Sequence, residues 1–358
     1  MAAFTTIDKP SLYNNAKTYT GTGYSLALTG VGFQPDWTWI KCRSAGSATD
    51  HVLFDVLRGV QVAINSNDTS DNDTISNALT AWGADGFTVN GNGATGANGD
   101  TYVGWNWKAG GAGSANSDGA TATTVSVNDT AGFSIVKWTG TSGNTTIGHG
   151  MNAAPVFTIV KKVSGGSGNN WIVYHQSVTT SHALKLNLTS AEDSGNNYWQ
   201  STAPTNSLIT LTGSTASNSN GNDMIAYCFS EKRGYSKFGS YEGNGENDGA
   251  FIYTGFKPAW LMIKRVDNTG AWLMYDNKRN PFNLTNKKLF ANETGLENAS
   301  NDPSGVDAST NNLDMLSNGF KWRTNDGYNN AASAEYIYMA FAENPLVNTT
   351  GKVPTTAR

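Results

Sequence analysis

Apolar and polar residues alternate along several short stretches of this chain in the pattern of β-strands. In residues 184–189 three leucines alternate with polar residues, the period-two pattern of a half-buried strand. In residues 156–160 and 259–263 both alternating faces are apolar, which is typical of a strand covered on both sides. Such strands recur at intervals of about 8–12 residues, with Gly, Asn and Ser between them, so the pattern predicts an all-β fold. Residues 74–82 form the one stretch for which we expect a short helix.

One strand pattern occurs three times along the chain. Each copy contains an apolar residue, a proline, an aromatic residue two positions later and an aliphatic run that ends in lysine, at residues 32–41, 153–161 and 255–264. Downstream of each copy an aromatic strand ends in Asp55, His175 or Asp276. Each copy closes with alternating large residues, at 105–107, 227–229 and 339–341. Landmarks that recur in the same order indicate one β module copied in tandem.

The repeats predict three tandem β-sandwich modules of the jelly-roll or concanavalin-like type. A chain of 358 residues is long enough for three modules of about 100 residues each. The stretch of small residues after the first module has the composition of a flexible linker, and we expect residues 130–234 to fold alone. The expected boundaries are a lead-in at 1–14, module 1 at 15–108, a Gly/Ser/Ala-rich linker at 109–130, module 2 at 131–234, module 3 at 235–345 and a polar tail at 346–358.

Charge and composition narrow the class of partner. The chain has 24 Lys and Arg against 28 Asp and Glu, a net charge of −4, and its basic residues form no run longer than a pair. Nucleic acid needs a concentrated basic face, so we expect no nucleic-acid partner. The opening residues lack the parts of a signal peptide, and no apolar run reaches the ~18–20 residues of a membrane span. We therefore expect synthesis in a cytoplasm without membrane insertion. Cys42 and Cys228 are expected to be buried free thiols.

The sequence contains several motifs that resemble ligand-binding sites, but a structural role explains each of them better. Residues 91–96 match the dinucleotide fingerprint but lead into another turn instead of a helix, so we expect a loop. Residues 68–73 hold carboxylates but lack the glycine and the distal glutamate of a calcium loop. The histidines show no zinc-ligand spacing. His175 stands where the sister modules have Asp55 and Asp276, as expected of a polar residue that ends a strand and bonds a turn.

Catalytic signatures are also missing from the sequence. No nucleophile elbow and no Ser/His/Asp set is recognisable. A glycosidase needs two carboxylates that face each other, and the sequence leaves a pair such as Asp276 with Glu335 open. We predict a protein that is not an enzyme, with no catalytic residues, no metal and no cofactor.

The aromatic residues divide into two groups. Some recur in register in the three modules, which is the signature of core packing: Trp37, Trp39, Phe157 and Trp260. Others lie among polar loop residues, namely Tyr198 with Trp199 and Trp322 with Tyr328. Exposed rings beside amides and carboxylates can stack on the C–H faces of a sugar, so these four residues are the candidate carbohydrate-binding residues. The alternative is that each ring packs against its own loop.

Several segments together resemble a repeat-containing protein family of marine tailed bacteriophages. The resemblance rests on residues 4–10, 34–41, 103–111, 131–136, 148–150, 231–241, 336–345 and the end of the chain at 357–358, and it covers essentially the whole chain. It implies a virion structural protein, usually described as a tail fibre or simply as a structural protein. The family supplies no established catalytic residues.

The resemblance leaves open where in the particle the protein lies. In the first interpretation it is a tail fibre or tail-appendage subunit whose loops contact host-surface glycans. In the second it is a capsid decoration protein that stabilises the shell without a ligand, because the chain lacks a long fibrous shaft. A tail-associated glycan-degrading enzyme is the third. We expect localisation in the virion after assembly in the host cytoplasm, contacts with other virion proteins, and a homo-oligomer, as a trimer by analogy with phage appendages.

Overall fold

The structure is a computed structural model that describes residues 5–44, 49–166, 168–297 and 312–352. The first four residues of the predicted lead-in and residues 353–358 of the predicted tail lie outside these ranges. In the described residues the secondary structure consists of β-strands and one 3-10 helix, Pro10–Leu12. The prediction of an all-β fold is confirmed. None of the helical structure in these ranges is long and apolar enough to cross a membrane.

Module 1 contains one larger and one smaller antiparallel sheet. Its strands are β1 (Asn14–Thr20), β2 (Leu26–Leu28), β3 (Trp37–Cys42), β4 (Val52–Asp55), β5 (Val62–Asn65), β6 (Asp73–Thr74), β7 (Leu79–Gly83), β8 (Gly86–Val89) and β9 (Thr101–Trp107). The larger sheet has the order β1-β9-β3-β4-β5-β6, and the smaller sheet has the order β2-β8-β7. The predicted helix at 74–82 is wrong: β7 occupies its second half, where Leu79 is buried and pairs with Val89.

Module 2 repeats this arrangement with two additional strands at one edge. Its strands are β10 (Ser114–Asn116), β11 (Thr123–Asn128), β12 (Phe133–Thr139), β13 (Thr145–Gly148), β14 (Phe157–Lys162), β15 (Ile172–His175), β16 (Leu184–Lys185), β17 (Leu208–Leu211) and β18 (Asp223–Phe229). The larger sheet is β10-β11-β12-β18-β14-β15-β16, and β13 pairs with β17. The strand predicted at 184–189 forms only at its first two residues.

The two additional strands lie in the segment that was predicted as a flexible linker. β11 pairs with β12 from Thr124 to Asn128, and Val125 is buried in the module core. This corrects the prediction for these residues, because the β-branched run from 123 to 127 supplies strand propensity that the neighbouring glycines conceal.

Module 3 has the same two-sheet plan. Its strands are β19 (Ser236–Glu242), β20 (Phe251–Tyr253), β21 (Phe256–Arg265), β22 (Trp272–Asp276), β23 (Leu289–Phe290), β24 (Leu313–Leu316), β25 (Gly319–Trp322) and β26 (Glu335–Pro345). The larger sheet is β19-β26-β21-β22-β23, and the smaller sheet is β20-β25-β24.

The strand that follows the repeated proline has the same neighbours each time. The aromatic residue two positions after the proline pairs with the closing aromatic on one side and with the strand-end polar residue on the other. The three rows are Trp107–Trp37–Asp55, Phe229–Phe157–His175 and Phe341–Trp260–Asp276. Pro35, Pro155 and Pro258 therefore occupy equivalent places in the three larger sheets.

Each larger sheet buries both of its faces. One face packs on the smaller sheet of the same module, in three separate hydrophobic cores. The other face packs on the larger sheets of the other two modules, and residues of all three modules form one shared core. In β3, for example, Trp37 and Trp39 enter the shared core whereas Ile40 and Cys42 enter the core of module 1. The prediction of strands covered on both sides is confirmed, and the second cover is the neighbouring modules.

Aromatic rings fill the middle of the shared core. The closing aromatics Trp107 and Phe229 each lie within 5.9 Å of Phe341, centroid to centroid. Trp37 stacks on Tyr227 of module 2 at 4.5 Å, and Trp107 meets Trp260 of module 3 edge to face at 5.3 Å. Such pairs add to the stabilisation from burial alone. Every module contacts the other two, so the three larger sheets form a closed ring.

Candidate functional site

Trp199 and Tyr198, two of the predicted sugar-binding residues, lie inside module 2. Trp199 is 0% exposed and meets Tyr174 edge to face at 5.7 Å. Tyr198 is also buried, and its backbone carbonyl accepts a hydrogen bond from Thr212. A buried indole offers no face to a sugar, so this part of the prediction is corrected. The loop around these residues is polar in sequence but folds its aromatic residues inward to close the module core.

Trp322 is the third corrected residue. It lies in β25, is 0% exposed, and donates its indole N–H to the hydroxyl of Tyr241 at 2.9 Å. Tyr328 is half-buried and packs against the same core. Trp199 and Trp322 are therefore core residues of their modules, and neither sugar binding nor packing against the ring's own loop describes them.

The carboxylate pair that the sequence left open is not brought together. Asp276 is buried and lies in the same row of paired residues as Phe341 of β26. Glu335 is exposed at the start of β26. The rise per residue of a strand separates these positions by about 20 Å, too far to flank one glycosidic bond. Residues 91–96 form turns with no helix after them, as expected. In the ranges that the structure describes, no group of three or more His, Cys, Asp or Glu could hold a metal ion.

The strand-end polar residues bond the turns that follow them, as predicted. The Asp55 carboxylate accepts the backbone N–H groups of Leu57 and Arg58, both at 3.0 Å. In module 3 the Asp276 carboxylate accepts those of Lys278 and Arg279, at 2.9 and 2.8 Å. His175 Nδ1 accepts the N–H of Ser177 at 3.0 Å. Each residue thus satisfies backbone amides of the turn that follows its strand.

These strand ends also face the neighbouring module, which the sequence did not indicate. The Tyr227 hydroxyl of module 2 donates to Asp55 of module 1 at 2.7 Å. The same Asp55 oxygen pairs with the Arg58 guanidinium at 2.6 Å. All three groups are buried. Burial raises the pKa of Tyr227 well above its ordinary value, so the phenol stays a donor.

Module 3 presents the same arrangement to module 1. The Trp105 indole donates to Asp276 at 2.8 Å, and Arg279 pairs with that carboxylate at 2.5 Å. Burial alone would raise the pKa of Asp276, but the Arg279 charge and the hydrogen bonds outweigh it and hold the pKa below its ordinary value. The Arg279 guanidinium also lies over the Trp105 ring at 5.5 Å. The site is a satisfied buried ion pair.

Module 2 replaces the ion pair with neutral groups. His175 Nε2 faces the backbone carbonyl of Tyr338 in module 3 at 3.4 Å, so the neutral ring carries its proton on that nitrogen. Burial lowers the pKa of His175 to about 4. The position of Arg58 and Arg279 is taken by Val178.

The lysine that ends each repeated strand is buried near a boundary between modules. Lys41 donates to the carbonyl of Thr294 in module 3 at 2.9 Å, and Lys264 donates to that of Thr189 in module 2 at 3.3 Å. Lys161 donates to the carbonyl of Asn169 at 2.7 Å. Its ammonium group also interacts electrostatically with Asp68 and Asp71 of module 1. Burial lowers the pKa to about 8 for Lys41 and Lys161 and to about 7 for Lys264. Lys41 and Lys264 thus link neighbouring modules by donating to backbone carbonyls, whereas Lys161 donates within module 2.

The surface also offers a groove at one end of module 3. It has a volume of about 310 Å³ and lies between the start of β19, the end of β20 and the segment after β26. Tyr253, Glu231 and Lys237 line it, with Tyr253 58% exposed. The signal in the sequence was the alternation of two aromatic residues around Ile252 in β20, which places both rings on the outer face.

The comparisons with known proteins give a family but no activity. Residues 9–345 match a family model described as a domain of unknown function, DUF7483. No curated protein and no solved structure matches the chain.

Proposed function

We propose that this chain, which belongs to the DUF7483 family, is a structural protein of a bacteriophage virion, a tail fibre or tail-appendage subunit whose exposed loops contact host-surface glycans. The sequence segments that resemble the phage family motivate the context. The observation that carries the proposal is the closed ring of three larger sheets around one shared aromatic core.

A closed ring of this kind suits a rigid structural subunit. The strand-end residues Asp55, His175 and Asp276 at the module boundaries are occupied in bonds between or within modules. Groups tied down in this way are poorly placed to bind a substrate or move a proton. The residues that bear most chemistry in this chain therefore support assembly and rigidity.

The internal arrangement also bears on the expected trimer. Three copies of one sheet order already surround a common core within a single chain. The protein thus supplies from one polypeptide the arrangement that a homotrimer would supply from three. We propose that one copy occupies a three-fold position and contacts other virion proteins through its outer faces.

This three-fold arrangement favours capsid decoration as the second candidate. A block with three similar outer faces can contact three neighbouring subunits around a local three-fold axis of a shell. A glycan-degrading enzyme receives less support, because Asp276 and Glu335 lie far apart and Asp276 is paired with Arg279.

Labelling of purified particles tests the proposal. Antibodies raised against the protein should label virions in immunogold electron microscopy, and mass spectrometry of gradient-purified particles should detect the chain. Label on the tail supports the first candidate, and label on the head supports the second. Absence of the chain from purified particles that infect normally would overturn both.

A further inference from the structure

The groove beside Tyr253 exists because a bridge found in the other two modules is missing. Lys237 occupies the same sheet position as Asn15 and Ser134, since each lies opposite the middle residue of the closing strand. Asn15 donates across to the carbonyl of Val31 at 2.8 Å, and Ser134 to that of His149 at 2.7 Å.

In module 3 Lys237 does not make the corresponding hydrogen bond across the gap. Its ammonium group instead pairs with Glu231 at 2.8 Å, on the same side of the gap. The loop after β20 is therefore not tied to β19 at this point, and a groove of about 310 Å³ lies open between them. That volume is at the lower end of the range for small-ligand sites.

The strand that borders the groove carries two exposed aromatic rings that the sister modules lack. Phe251 is 46% exposed and lies opposite Lys321 in the smaller sheet. By the same register its counterparts are Ala27 in module 1 and Thr146 in module 2. The fold is thus built twice without a ring at this position, so core packing does not require one.

Tyr253 is the next outward-facing residue of β20 and is also a ring that the fold does not require. It lies opposite Gly319, and the residue after Ile147 at the corresponding place in module 2 is Gly148. Large apolar groups left in contact with water and not needed by the core mark surfaces of interaction. Both rings belong to module 3, in which Lys237 pairs with Glu231 and the groove lies open.

Fixed polar groups surround these rings. Lys321 and Arg323 both pair with the exposed Asp248, at 2.8 and 2.7 Å. In the groove itself the Glu231 carboxylate accepts bonds from Lys237 and from the backbone N–H of Phe238, which hold it in place. The site therefore combines an aromatic face with a carboxylate and an ammonium group whose positions are set before any ligand arrives.

We propose that this groove binds a saccharide, an inference that rests on the proposed role in host-surface recognition and gives it a site. The C–H face of a sugar ring would lie on Tyr253, and its hydroxyl groups would donate to Glu231 and accept from Lys237. The mixture of ring and opposite charges matches a polyol, which presents C–H and O–H groups side by side.

A multivalent glycan array with the full-length protein tests the proposal, followed by titration of the bound saccharides in solution. The Tyr253→Ala variant should lower the affinity by about tenfold or more while the melting temperature stays unchanged, because the ring is exposed. Lys237→Asn introduces the residue that module 1 has here and should lower the affinity by closing the groove.

The matched control is Tyr24→Ala, which removes a tyrosine of module 1 that is 78% exposed, and it should bind like the unmodified protein. No saccharide bound on the array, or binding that Tyr253→Ala leaves unchanged, would overturn the proposal. Failure here with the chain present in purified particles would leave the virion role standing. Saccharide binding by a chain absent from particles would overturn the virion role alone.

Discussion

The strand ends of modules 1 and 3 differ from that of module 2 although the backbone is the same. In modules 1 and 3 the position holds a buried carboxylate paired with an arginine, Asp55 with Arg58 and Asp276 with Arg279. In module 2 it holds a neutral His175 and no arginine. The difference shows that the neighbouring module selects the chemistry of the position.

The neighbour's side chain explains the selection. Asp55 receives a hydrogen bond from Tyr227 and Asp276 receives one from Trp105. The corresponding residue of module 3, which would face His175, is Met339, and a thioether cannot donate. A carboxylate there would lack a donor from its neighbour, and burying a poorly satisfied charge is costly. Histidine avoids this cost because it is neutral and can donate to a backbone carbonyl.

Removing modules 1 and 3, so that module 2 stands alone, should have the largest effect on folding. We expect a fragment of residues 130–234 to lack a cooperative unfolding transition, in contrast to the independent folding that the sequence suggested. Its face of the shared core, including Phe157 and Phe229, would be exposed to water. Circular dichroism melts and amide NMR spectra of the fragment measure this. A dispersed spectrum with a cooperative melt would show that the ring is not needed for folding.

Breaking one ion pair should cost less than losing the ring but still be severe. We expect Asp55→Ala to lower the free energy of unfolding by about 3–5 kcal/mol, because the buried Arg58 loses its counter-ion. Denaturant titration measures the change. The control Asp248→Ala removes an exposed carboxylate and should leave the stability nearly unchanged.

Moving the neutral residues of the boundary between modules 2 and 3 to the boundary between modules 1 and 2 tests neighbour selection more sharply. The triple variant Asp55→His, Arg58→Val, Tyr227→Met gives the boundary between modules 1 and 2 the residues of the boundary between modules 2 and 3. It should be more stable than Asp55→Ala, since no buried charge is left without a partner. A triple variant that is less stable than Asp55→Ala would contradict the account of neighbour selection.

The neutral histidine predicts a smaller effect that depends on pH. The folded protein holds His175 with a pKa of about 4, against an ordinary value of 6.5. Between these values the unfolded chain binds the proton and the folded chain does not, so His175 makes the unfolding free energy fall as the pH drops from 6.5 towards 4. The contribution is on the order of 3 kcal/mol.

Denaturant titrations across this pH range measure the effect. The variant His175→Asn should show a shallower loss of stability on acidification than the unmodified protein. His182→Asn, which removes a partly exposed histidine outside the shared core, is the control. Equal slopes for His175→Asn and the unmodified protein would show that His175 does not resist protonation.

Much of the fold could be predicted because it is repeated. The spacing from each proline to its aromatic residue and to the strand-end polar residue fixed the register of three strands, and the pairings of Trp37, Phe157 and Trp260 agree with it. The burial of both free cysteines was predicted correctly from their strand positions. A local pattern suffices for such features, because strand register is a local property.

The candidate site was predicted less well. Trp199 and Trp322 sit among polar residues in the sequence, and only the folded loops turn their rings inward. Tyr253 lies in an ordinary strand pattern that places its ring on the outer face, and only the folded structure shows that this ring borders a groove with Glu231 and Lys237. Exposure depends on which distant segment covers a residue, and no local pattern states that.

The sequence by itself determined that the chain is all-β, where the repeats lie and which side chains end the strands. Only the tertiary structure decided that the repeats close into a ring, that Asp55, His175 and Asp276 face a neighbouring module, and that one groove stays open. The physical reason is the separation along the chain between the residues that interact. Alternation and turns act between residues close in the chain, whereas the contacts between modules join residues more than a hundred positions apart, such as Tyr227 with Asp55 and Tyr338 with His175.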